Sequence, residues 1–218
     1  MEQFIMKKTL LGSLILLAFA GNVQAAANAD TKGTVTFFGK VVENTCQVKS
    51  GHRNMSVTLN DVGKNHLSQQ GYTAMQTPFT ITLENCNVTT TNNKPKATKV
   101  GVYFYSWENA DKDNKYTLKN IKENTGTNDS AKKVNIQLLE DNGTAEIKVV
   151  GKTTTDFTSE NTNGAGADPV ATNKHISSLT PLNNQNSINL HYIAQYYATG
   201  VAEAGKVQSS VDFQIAYE

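Results

Sequence analysis

The chain ends in Gly205-Lys206-Val207-Gln208-Ser209-Ser210-Val211-Asp212-Phe213-Gln214-Ile215-Ala216-Tyr217-Glu218, and the reading of this stretch decides the fold. Val207, Val211, Phe213, Ile215 and Tyr217 share one parity, while Asp212 and Gln214 hold the other. Successive side chains of a strand point to opposite faces, so the pattern describes a strand with one apolar face and one wet face. Working back along the chain, the same period recurs in Met55, Val57 and Leu59, in Phe79, Ile81 and Leu83, in Val134, Ile136 and Leu138, and in Ile147 and Val149. Residues 100–105 and 188–198 are more continuously apolar and are expected to be central strands. Clusters of Asn, Gly, Thr and Lys separate these runs, as turns require. Residues 87–99 and 153–186 read as loops, the second containing Pro169 and Pro181. No stretch of useful length repeats at helical spacing. The expectation is an all-β domain, most simply a sandwich. The lone Trp107 follows both cysteines, so the Cys…Trp…Cys order of antibody domains is absent, and an immunoglobulin-like topology would have to be a variant.

The other end of the chain is read differently. Lys7 and Lys8 precede an apolar run from residue 10 to residue 20, followed by Val23-Gln24-Ala25. A positive region, a short apolar region and a small-residue site make a secretory signal peptide, expected to cover residues 1–25. The apolar run falls well short of the roughly 20 residues a membrane helix needs. Removing this segment takes two lysines and one glutamate from the chain's 20 basic and 19 acidic residues, leaving the signs balanced. Scattered, balanced charge offers no electrostatic case for nucleic acid or anionic lipid.

Export gives the two cysteines a meaning. Cys46 and Cys86 are the only pair, and an even count in an oxidising compartment argues for a disulfide. Free thiols or half of a zinc site are the alternatives, but no histidine lies close in sequence to either cysteine.

Motifs for chemistry are missing. His52, His66, His175 and His191 are isolated, and there is no nucleophile elbow, phosphate-binding glycine loop or His-Glu-x-x-His. Asp111-Lys112-Asp113 hints at a calcium loop, but Lys115 takes the next ligand position and the required glycine is lacking, so an exposed turn is the better reading. No enzyme, cofactor or metal is expected.

One further stretch carries a resemblance. Gly33-Thr34-Val35-Thr36-Phe37-Phe38-Gly39-Lys40-Val41-Val42 lies just before Cys46. In this pattern, the paired cysteines, the Ala194–Gly200 segment and the C-terminal strand with Gly205 and Tyr217, the chain resembles the chaperone–usher pilin family of type 1 and P fimbrial subunits. That resemblance implies an immunoglobulin-like sandwich lacking its last strand. The missing strand is supplied by the N-terminal extension of a neighbouring subunit, and chaperone–pilin complementation is itself a named instance of strand addition. It further implies residues 26–42 as a donor extension and residues 43–218 as the pilin domain. The implied partners are identical subunits, other pilus subunits, a periplasmic chaperone and an outer-membrane usher, and the implied location is a surface fimbrium. Gly205, Val211, Phe213, Ile215 and Tyr217 are assigned by resemblance to the strand that lines the groove and meets the chaperone.

The residues suit that work. In an extended chain Val35, Phe37, Gly39 and Val41 fall on one face. Each of the three apolar side chains contributes roughly 1.5–3 kcal/mol if fully buried. Gly39 lets two backbones approach, so a bulky residue there is expected to block assembly. Alternation alone specifies only a strand, and residues 33–42 could instead begin this chain's own sheet. The expected role is the major, shaft-forming subunit of an adhesive fibre. The alternatives are a minor or adaptor subunit, a receptor-binding module, or, more remotely, a secreted β-sandwich enzyme.

Overall fold

The computed structural model describes residues 41–43, 45–86, 96–123, 125, 129–154, 159–160, 170–171 and 175–218. The described residues form twelve strands: β1 (Gln47–Val48), β2 (Thr73–Glu84), β3 (Lys99–Tyr105), β4 (Ala110–Asp111), β5 (Thr117–Leu118), β6 (Lys132–Glu140), β7 (Glu146–Ile147), β8 (Ser159–Glu160), β9 (Val170–Ala171), β10 (Ile176–Pro181), β11 (Ser187–Glu203) and β12 (Asp212–Tyr217). The helices among the described residues are short 3-10 turns, such as Lys64–Leu67.

Two antiparallel sheets carry the fold. One runs β1-β2-β11-β6-β5-β4, with β7 also paired to β6; the other runs β10-β3-β12. The two runs expected to be central are so placed, β11 between β2 and β6 and β3 between β10 and β12. Their continuous apolar sequence follows from that position, since a central strand is shielded on both edges and carries much of the core. Inward side chains of both sheets form one core that includes Ile81, Leu83, Val100, Val102, Phe104, Leu190 and Tyr192. Phe104 meets Tyr192 edge to face with ring centroids 5.1 Å apart, the geometry that ring quadrupoles favour. Burial pushes the Tyr192 hydroxyl pKa up to about 12.

Three expectations need correction. Residues 55–59 alternate like a strand but belong to none, because their backbone has no ladder partner among the described residues. Residues 176–181, placed inside a loop, form the edge strand β10 against β3. Its register shifts between Ser177 and Thr180, where Ser178 takes φ 52°, and this bulge breaks the alternation that would have revealed the strand. The bulge is held from the opposite sheet: the Glu140 carboxylate accepts from Ser178 N at 3.1 Å and from Ser178 Oγ at 2.5 Å. Residue 99, put at the end of the other loop, is the first residue of β3.

Candidate functional site

The unpaired residues 54–62 form one lip of a groove. They make no main-chain hydrogen bond among the described residues, yet Met55 and Leu59 pack partly against the core. The other lip runs from residue 205 through β12, whose only partner among the described residues is β3. Residues 209–211 in this lip likewise make no main-chain hydrogen bond. Between the lips lies a cavity of about 570 Å³ whose floor includes Phe79, Ile81, Phe104, Ile136 and Leu138. Met55, Val57 and Leu59 line one wall, Val211 and Phe213 the other. The wall residues are only half-buried, and Val57 is 37% exposed. An apolar floor flanked by two backbone edges that are unpaired among the described residues is an open core, and both edges offer main-chain donors and acceptors to an inserted chain.

One end of the groove is bridged. The Cys46 N–H donates to the Tyr217 hydroxyl at 2.7 Å, and that hydroxyl also approaches Cys46 O at 3.4 Å. Cys46 in turn is bonded to Cys86 with S–S 2.10 Å, just beyond the pairing of Gln47 with Glu84. Burial raises the Tyr217 pKa, with the Cys46 hydrogen bond working weakly against it.

The base of the second lip is fixed by a residue that the sequence did not single out. Asn120 is 3% exposed, and its side-chain amide makes four hydrogen bonds. Its Nδ2 donates to Ala131 O at 2.8 Å and Lys206 O at 3.1 Å, while Oδ1 accepts from Gln208 N at 3.0 Å and Lys122 N at 3.1 Å. An asparagine in an Asn-rich chain gives no local sign of such a role. Replacing Asn120 with Ala removes the partner of Ala131 O, Lys122 N and Gln208 N, the first of these bonds buried and the others partly so, and the expected loss is about 2–3 kcal/mol. Thermal denaturation of the variant checks this, and a midpoint within a degree of wild type would contradict it.

Of the residues assigned from sequence, Cys46 and Cys86 are brought together as the disulfide. Phe213, Ile215 and Tyr217 lie in β12 facing the core, Val211 immediately precedes the strand, and Val207 packs in a second small cluster with Leu67, Val134 and Ala198. Gly205 lies outside β12, against the main chain of residues 130–131. Val35, Phe37 and Gly39 lie outside the described residues. Val41 is 91% exposed and Val42 packs partly against the core; neither is in a strand. The Asp111 loop is a 3-10 turn in which Asp111 Oδ2 accepts from Asn114 Nδ2 and Asn135 Nδ2, both at 2.9 Å. Among the histidines, His52 Nδ1 accepts from Thr82 N at 2.9 Å and His191 Nδ1 meets Thr80 Oγ1 at 3.0 Å.

Residues 31–218 match the family model described as fimbrial protein. The chain is 67% identical over 218 residues to a major fimbrial subunit of Haemophilus influenzae, covering 98% of this chain and 100% of that one. It is 36% identical over 203 residues to the F17 fimbrial protein of Escherichia coli, covering 93% and 97%. Among solved structures, a chain from a chaperone–usher pilus studied for rod uncoiling aligns with TM-score 0.54 at 19% identity, over 86% of this chain and 96% of that one. The P pilus rod subunit aligns with TM-score 0.50 at 16% identity, over 79% and 99%. These last two likenesses concern the fold.

Proposed function

This chain belongs to the fimbrial protein family, and on that premise we propose that it polymerises by donor-strand exchange, residues 26–42 of one copy filling the groove of the next. It is a structural major subunit of a chaperone–usher fimbria, exported through the periplasm to the cell surface, where the assembled fibre serves adhesion. The family is structural rather than catalytic. Relatives at 64–68% identity are major subunits, which favours the shaft over an adaptor or tip position.

The observation that carries the exchange reading is the lip at residues 54–62, which has the apolar alternation of a strand and no main-chain partner among the described residues, opposite the open edge of β12. A strand laid between the lips would satisfy both edges at once. It would also cover the half-buried faces of Met55, Leu59, Val211 and Phe213. The donor extension is suited to this by its parity. Val35, Phe37 and Val41 face inward and Gly39 leaves room where the backbones approach, while Lys32 and Lys40 face outward. Residues 43–218 then form the receiving domain. Before the donor arrives, a periplasmic chaperone lends a strand to the same edges, and an outer-membrane usher and other pilus subunits complete the assembly line.

The test compares the intact mature chain with one lacking residues 26–42, each purified from periplasm with its chaperone. The intact chain is expected to form heat-resistant ladders on gels. The shortened chain is expected to form none, yet to take up a peptide of residues 30–42 and release the chaperone. Stable, chaperone-free monomers of both forms would show a complete domain and overturn the proposal.

A further inference from the structure

The lips of the groove run in opposite directions, residues 46 to 62 against residues 217 to 205. Among the described residues, hydrogen bonds join them directly at one place only. At that place Tyr217, at the end of one lip, uses its hydroxyl on both main-chain polar groups of Cys46, at the start of the other. Cys46 cannot follow a moving lip, because its disulfide anchors it to Cys86 beside β2. Tyr217 is likewise fixed, by its pairing with Val100 in β3. The hydroxyl is therefore a bridge between two held points on opposite sheets. The far parts of both lips, residues 54–62 and 209–211, have no such cross-connection through the main chain among the described residues.

We propose that the Tyr217 hydroxyl is a latch that sets the separation of the two lips at the Cys46 end, holding them at the spacing at which one inserted strand can hydrogen-bond to both. The proposal rests on the strand-exchange reading above and adds a positioning role for one atom. Its physical basis is the steep dependence of hydrogen bonds on distance and angle. A strand bonded to one lip keeps its second row of bonds only if the other lip stands at sheet spacing, about 4.7–4.9 Å from it. Without the hydroxyl, the aromatic ring still fills its half-buried place, but the lip is free to shift by the few tenths of an ångström that weaken that second row. The latch therefore acts on retention of the inserted strand near Cys46 and leaves the distant half of the groove unaffected.

The experiment uses the full mature chain, taken from its chaperone complex into excess labelled peptide of residues 30–42 and then chased with unlabelled peptide in intermediate denaturant. Tyr217→Phe removes only the oxygen. Label is expected to leave this variant roughly three- to tenfold faster than wild type, the range that corresponds to the net worth of one hydrogen bond. The chase is repeated with peptides carrying Val35→Ala or Val41→Ala, which weaken opposite ends of the donor. The effect of Tyr217→Phe should shrink markedly with one of these peptides and persist with the other, identifying the end that lies at the latch. An equal effect with all three peptides would mean that the hydroxyl merely stabilises the domain, and no effect would mean that it is idle; either result overturns the latch. Failure of wild-type chain to take up any peptide would instead remove the exchange reading itself.

Discussion

Replacing Gly205 with Ala is expected to destabilise the subunit by about 3 kcal/mol or more, which corresponds to a fall in melting temperature of roughly 6–12 °C for a domain of this size. A methyl group built on Gly205 would stand 2.3 Å from both Ala131 N and Ser130 C and 2.7 Å from Ser130 O. All three are main-chain atoms, so no side-chain rotation relieves the clash. The backbone there is also pinned: Lys206 N donates to Asp129 O at 2.7 Å, Ala131 N donates to Lys206 O at 3.0 Å, and Asn120 bonds to the same stretch. The φ of 157° at Gly205 adds a conformation that L side chains rarely adopt. Because this glycine starts the second lip, the variant should also accept donor peptide poorly even where it remains folded. Denaturation of the peptide-filled subunit is the measurement. A change under about 0.5 kcal/mol, the ordinary range for a tolerated surface substitution, would show that residues 130–131 can give way.

Loss of the disulfide is the second large effect. Converting Cys46 and Cys86 together to Ser should lower stability by about 4 kcal/mol on the chain-entropy model for a loop of this length. The bond spans a sequence separation of 40 and joins residues that flank the β1–β2 pairing. A second consequence follows from position: Cys46 is the anchor from which Tyr217 bridges the two lips, so the reduced form should lose retention of donor strand as well as stability. Denaturant titrations of the peptide-filled chain with and without reductant measure the first, and peptide chase measures the second. Reductant should leave the double-serine variant unchanged. A wild-type midpoint that does not move once the bond is shown to be reduced would refute the expected contribution.

The legible parts of this protein were those encoded by neighbours in sequence. Alternation at Phe79, Ile81 and Leu83 and at Phe213, Ile215 and Tyr217 reports one apolar face, because the pleat repeats every two residues, and in both places that face belongs to a strand. The continuous apolar runs marked β3 and β11 as central for the same local reason. The donor-like stretch at residues 33–42 was readable as a strand from parity, but its use by another copy came from family resemblance, since alternation does not say whose sheet a strand will join.

What the sequence determined by itself is therefore the set of faces: which side chains are apolar together, that the chain is all-β, and that two cysteines in an exported protein are available to pair. Which edges meet was decided by the tertiary structure. Residues 55–59 carry the same signature as β12, yet among the described residues they are left without a ladder, because hydrogen-bond pairing depends on what arrives alongside and not on the segment's own residues. β10 was hidden in a polar region because its bulge is stabilised by a carboxylate from β6, far away in sequence. Asn120 looks ordinary in the chain, and Gly205 is marked there by family resemblance alone. Their importance arises only when segments near residues 120, 130 and 206 converge, where one buried amide must satisfy four main-chain groups and one Cα has no space for a methyl. The bridge from Tyr217 to Cys46 is of the same kind, a contact across 171 positions that exists only once the two sheets have packed.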